Sequence, residues 1–108
     1  MTPEQQRIAI ANACGEINPR TTEFGGCVAT AFVTKEGVHV GFHGVPDYLN
    51  DLNAMHDVEI DYIIPNGLWD DYVTHLKNLM KDGKRFWGQA TAGQRAEAFL
   101  RTLNLWKE

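Results

Sequence analysis

At 108 residues the chain is sized for one domain, residues 1–108, with room for a single core. Its 44% hydrophobic and 22% charged residues are those of an ordinary globular protein and exclude a disordered or fibrous one. The net charge is −4, no apolar run nears the ~20 residues of a bilayer span, and the polar, acidic start lacks a signal peptide's basic flank; the expected location is the cytoplasm.

Two Thr-x-x-Gln capping boxes frame the chain, Thr2-Pro3-Glu4-Gln5 and Thr91-Ala92-Gly93-Gln94. The first predicts a helix over 3–14, with Pro3 at its first position and Gly15 as its stop. Ile8, Ala11 and either Ile10 or Cys14 form its inward face. A loop over 16–26 is marked by Asn18-Pro19 and Gly25-Gly26. Residues 27–34 then read as a strand, 35–37 as a hairpin connection and 38–43 as the return strand. In the first strand Cys27, Ala29, Ala31 and Val33 face one way and Val28 and Phe32 the other. Neither face is polar, and such a strand belongs in a sheet covered on both sides.

After the break at Gly44-Val45-Pro46-Asp47, a second helix is predicted over 48–63. Its inward stripe is Leu49, Leu52, Met55 or His56, Ile60 and Ile63. Pro65-Asn66-Gly67 ends it. A third helix over 68–81 carries the strongest amphipathic stripe, including Leu68, Tyr72, Leu76 and Leu79. Residues 85–90 read as a third strand, and 92–103 as a fourth helix with Ala96, Phe99, Leu100 and Leu103 inward. The order α-β-β-α-α-β-α predicts an α+β fold: a three-layer α-β-α sandwich around a small, mainly antiparallel sheet.

Charge is unevenly placed. Residues 37–76 contain no Lys or Arg but hold Asp47, Asp51, Asp57, Glu59, Asp61, Asp70 and Asp71, while the basic residues gather from Lys77 onward. An acidic middle opposes a nucleic-acid surface, and the basic end lacks a dense cluster. Opposite charge in the two halves, with the edges of a short sheet, makes a homodimer plausible.

Three segments, 1–11, 46–56 and 90–101, together resemble small proteins of phages and prophages, and their layout is similar to the phage ABA-sandwich domain family. Tyr48-Leu49-Asn50-Asp51-Leu52 matches that family's Tyr-x-x-Asp-hydrophobic start of the central helix. Residues 15–43 depart from its pattern. The resemblance implies a phage-borne context inside a bacterial host and a fold; it implies no reaction.

Candidate chemistry is sparse. His56 and Glu59 share a helix face, a spacing that suits a metal or acid–base work, with His75 able to approach from another helix. A helix-surface histidine bonded to its neighbour is the plainer account. His39 and His43 share a strand face but stand about 13 Å apart, too far for one metal. Asp47 and Asp51 flank the start of the second helix, and Asp70 and Asp71 that of the third, where the dipole favours negative charge. Serine is absent, which removes every serine-nucleophile mechanism. No phosphate-cradling glycine loop is present. Cys14 and Cys27 read as two buried reduced thiols.

The sequence therefore points to a phage- or prophage-type accessory protein with no catalytic residue, metal or cofactor. It binds a host or phage protein through Asp47, Asp51, Asp57 and Asp61. A second reading is a binder of a nucleotide-derived signal, with Arg85 or Arg95 on a phosphate and Trp87 on the base. A third is a metal-assisted hydrolase centred on His56 and Glu59.

Overall fold

The computed structural model describes residues 1–17, 19–21, 27–34, 37–80 and 87–107, leaving aside the side chains of 17, 20–21, 27–28, 30–43 and 87. Both capping boxes form. Thr2 Oγ1 accepts from the Gln5 amide at 3.1 Å while Gln5 Oε1 accepts from the Thr2 amide at 2.9 Å, opening helix α1, Pro3–Ala13. Thr91 and Gln94 repeat the pair with the same distances at helix α4, Ala92–Thr102. Gly15 sits at φ 95°, a left-handed conformation that ends α1 without the cost a side chain would add.

Strands β1 (Glu16–Ile17) and β2 (Arg20–Thr21) pair antiparallel with β3 (Cys27–Thr34). Their registers, Glu16 opposite Phe32 and Arg20 opposite Val28, continue one another. They are two halves of one edge interrupted near Pro19, a residue with no amide hydrogen for a ladder. Strand β4, Gly37–Gly44, pairs with the other side of β3. Its register shifts by one between Ala29–His43 and Ala31–Val40, so Gly41 and Phe42 together face Thr30 in a bulge.

The three-layer sandwich is not what the chain forms. Helix predominates, and the core lies among the helices, with α4 packed on α1, on α2 (Leu52–Val58) and on α3 (Trp69–Leu79); the small sheet stands to one side, against α1. The α+β sandwich order also fails at its third strand. Trp87–Gln89 is a short 3₁₀ turn, and among the described residues of 85–90 there is no strand. The cause is local. The Gly88 and Ala90 carbonyls, which a strand would offer to a ladder, accept from the Arg95 guanidinium instead. The both-faced apolar pattern of 27–34 had implied helices above and below the sheet; the helices find one another.

The second helix begins later than its apolar spacing predicts. Residues 48–50 form a turn, and Asp51 caps α2, Leu52–Val58, by accepting from the Asn53 and Ala54 amides. The helix then widens into a π-helical turn, Glu59–Ile63, in which the Ile64 amide reaches back five residues to the Glu59 carbonyl at 3.0 Å. Through this turn Ile63 is fully buried, Asp61 is exposed, and Ile60 and Ile64 face outward. The expected inward stripe is thus corrected to Met55, Val58 and Ile63, without Leu52 or Ile60.

Gly67, at φ 70°, closes the following turn, and α3 runs Trp69–Leu79 with Tyr72 and Leu76 buried. The core centres on α4: Phe99 meets Tyr62 edge-on with ring centroids 5.5 Å apart, and Leu100 is fully buried. Arg7 donates to the Val45 and Pro46 carbonyls, tying α1 to the segment leaving the sheet. Among the described residues no helix is long and apolar enough to cross a membrane.

Because α4 is the central helix, its cap carries weight. Thr91→Ala is expected to lower the free energy of unfolding by about 1 kcal/mol, and Thr91→Ser to restore nearly all of it. Urea unfolding followed by tryptophan fluorescence checks both.

Candidate functional site

Two arrangements emerge on opposite flanks of α2. The first is a buried polar knot. Glu59 opens the π-helical turn and is almost fully buried. His56, one turn earlier, places Nδ1 2.8 Å from Glu59 Oε1. A carboxylate oxygen accepts, so the His56 Nδ1–H donates and Nε2 is the ring's remaining polar atom. On the other oxygen, Tyr72 Oη from α3 and Arg95 Nη1 from α4 each donate to Oε2 at 2.7 Å. Arg95 spends its other donors on Ala90 (Nε, 3.1 Å) and Gly88 (Nη2, 2.8 Å). Among the described residues no buried side-chain polar atom lacks a partner. Burial and the bond to Glu59 push the Tyr72 phenol well above its usual range, so it remains a donor.

The knot joins α2, the π-helical turn, α3, α4 and the 87–90 segment through one carboxylate. The His56–Glu59 pair that the spacing suggested is therefore real, but its carboxylate is neutralised by a buried guanidinium. Arg95, expected on a ligand phosphate, is 2% exposed and bonded within the protein through each of its three side-chain nitrogens. Its burial had a signal: it falls on the stripe Ala92-Arg95-Ala96-Phe99, at steps of three and four on the inward face. Tyr72 was legible as core, not as a donor to Glu59. His75 lies elsewhere, lining a depression with Arg101, Asn104 and Trp106, where Arg101 pairs with Glu97 and stacks on Trp106. Among the described residues no three His, Cys, Asp or Glu side chains gather as a metal site. Arg85 and the Trp87 side chain lie outside the described residues, as do the His39 and His43 side chains.

The second arrangement is a cleft of about 380 Å³ between α1's end, the turn before α2 and the outer face of α2. Asp51, Asp57 and Asp61 line it, with Tyr48, Tyr62 and Cys14 among its walls. Asp51 spends Oδ1 on the helix cap. Asp57 and Asp61 are exposed and make no hydrogen bond or ion pair among the described residues. Asp47, expected on the same surface, is held by Asn50 Nδ2 at 3.2 Å and lines a neighbouring depression with Glu4 and Arg7. Burial, then Glu16 and Asp61, push the Cys14 thiol up to about 12. That is too high for a nucleophile at neutral pH. Cys14, expected to be buried, is partly buried and forms one wall of the cleft. Tyr48 and Tyr62 were missed as cleft residues, since nothing in their spacing marks it.

No family model, curated protein or solved structure matches the chain.

The knot should behave as a unit. Arg95→Met, which strands the Glu59 carboxylate, is expected to cost about 3–5 kcal/mol, whereas Glu59→Met with Arg95→Met costs less than the two single changes summed. A double-mutant cycle in urea measures this; additive losses would mean the pair is uncoupled. For Cys14, the folded protein holds the thiol protonated, so its stabilising contribution is complete below the ordinary value of 9.0 and lost as pH climbs toward about 12. Iodoacetamide labelling of Cys14, read by mass spectrometry, is expected to be slow at neutral pH. Cys14→Ala should flatten the alkaline loss of stability over that window, leaving the part due to Tyr72.

Proposed function

We propose that the protein acts by binding and turns over no substrate, and that its partner is a protein presenting Lys or Arg side chains to the cleft formed by Asp51, Asp57 and Asp61. The observation that carries this reading is the pair Asp57 and Asp61. Among the described residues neither carboxylate at the cleft has a cation partner, and their own stretch, residues 37–76, contains no Lys or Arg. An acidic surface of this kind speeds encounter with a basic partner and sets its orientation. The Tyr62 ring at the same cleft suits the flat face of a guanidinium or the stem of a lysine. Against catalysis stands the engagement of Glu59 on three donors, which leaves it the role of a tie between helices. The resemblance of segments 1–11, 46–56 and 90–101 implies a host or phage protein as the partner and a bacterial cytoplasm as the setting.

A Lys/Arg-rich peptide titrated into the full chain by calorimetry tests the idea. Binding is expected to weaken steeply with salt and to fall about tenfold in Asp57→Asn/Asp61→Asn, two exposed changes that leave the fold intact. Affinity indifferent to both salt and substitution would remove the acidic cleft from the account.

A further inference from the structure

Leu52, Ile60 and Ile64 are 43%, 62% and 53% exposed, unusual for large apolar side chains on one continuous segment. They recur at positions 52, 60 and 64, with His56 between, and residues four apart on a helix stack on one face. Ile60 lies within the π-helical turn and Ile64 just after it, and between them Ile63 enters the core. Asp57 and Asp61, each one residue further round, run beside the stripe on its cleft side. The result is an apolar ridge with an acidic flank.

We propose that this ridge receives the apolar face of an amphipathic helix from a partner protein, with Lys or Arg on the helix's flank meeting Asp57 and Asp61. The inference rests on the acidic-surface reading above and adds the apolar half of the contact. Charge decides between this occupant and a second copy of the chain. An antiparallel two-fold contact of the ridge on itself sets Asp57 and Asp61 against their own copies. Residues 37–76 hold no Lys or Arg to offset that repulsion in any arrangement of the segment on itself. A basic amphipathic helix satisfies both halves at once, through apolar anchors in a line and cations alongside.

The test uses the full chain and a synthetic helical peptide of about 18 residues, with Leu at positions i, i+3, i+4 and i+7 and Lys elsewhere. A control peptide has the same composition with its Leu residues scattered around the helix. The chain is expected to bind the patterned peptide about tenfold or more tighter than the control, and Ile60→Gln/Ile64→Gln to lose that preference with an unchanged circular dichroism spectrum and Tm. If Ile60→Gln/Ile64→Gln binds the patterned peptide as the parent does, while Asp57→Asn/Asp61→Asn does not, the ridge is overturned and the acidic cleft stands. If the parent binds neither peptide, both readings fall. Sedimentation showing a dimer that Ile60→Gln/Ile64→Gln dissociates would assign the ridge to a second copy and overturn the proposal.

Discussion

Everything around α4 is arranged to accommodate one buried ion pair. Glu59 and Arg95 meet at 2.7 Å with both side chains almost wholly out of water. Taking two charges from water costs several kcal/mol each, and attraction between them offsets that only where the remaining hydrogen-bonding capacity is also met. Here it is met from four directions: Tyr72 and His56 complete the carboxylate, and the Gly88 and Ala90 carbonyls complete the guanidinium. This explains a feature that hydrophobic packing alone does not. The 87–90 segment ends as a 3₁₀ turn capped onto α4 because its carbonyls face Arg95. The knot tells the helices how to sit; the apolar core of Phe99, Leu100, Ile63 and Leu76 supplies the driving force that makes them sit at all.

The same carboxylate couples interior to surface. Glu59 begins the π-helical turn, and residues of that turn face both ways. Ile63 goes to the core and Asp61 to the cleft. Thus the interior knot and the exterior acids share one short stretch of backbone. Such single-turn widenings often accompany functional surfaces, because they relax the rule that binds a helix's outer face to its inner one.

How much of this was legible in the sequence depends on the distance over which each interaction acts. The two capping boxes, the stop at Gly15 and the start of α4 follow from residues three or four apart, and they stand where the spacing put them. His56 with Glu59 is equally local and equally visible. Arg95 with Glu59 spans 36 positions. Nothing in either neighbourhood names the other, and an arginine near a strand-like run reads as a ligand contact. Of the strand expected over 85–90, the described residues 87–90 form none, because Arg95 takes the Gly88 and Ala90 carbonyls that a ladder would need. The π-helical turn leaves no mark in the apolar spacing, since a uniform 3.6 residues per turn puts Leu52 and Ile60 inside. The acidic surface was half visible. Composition showed the excess of Asp, while the fold separated Asp47 from the three that share a cleft.

The widened turn holds one residue more than an ordinary helix needs. Removing one residue between 59 and 63 would therefore let the regular ladder close while the chain on either side keeps its phase. The same deletion inside α3 or α4 has no surplus residue to draw on and would turn every later side chain of that helix by roughly 100°. Length, as well as sequence, is thus more freely varied in this one turn than in the helices packed beside it.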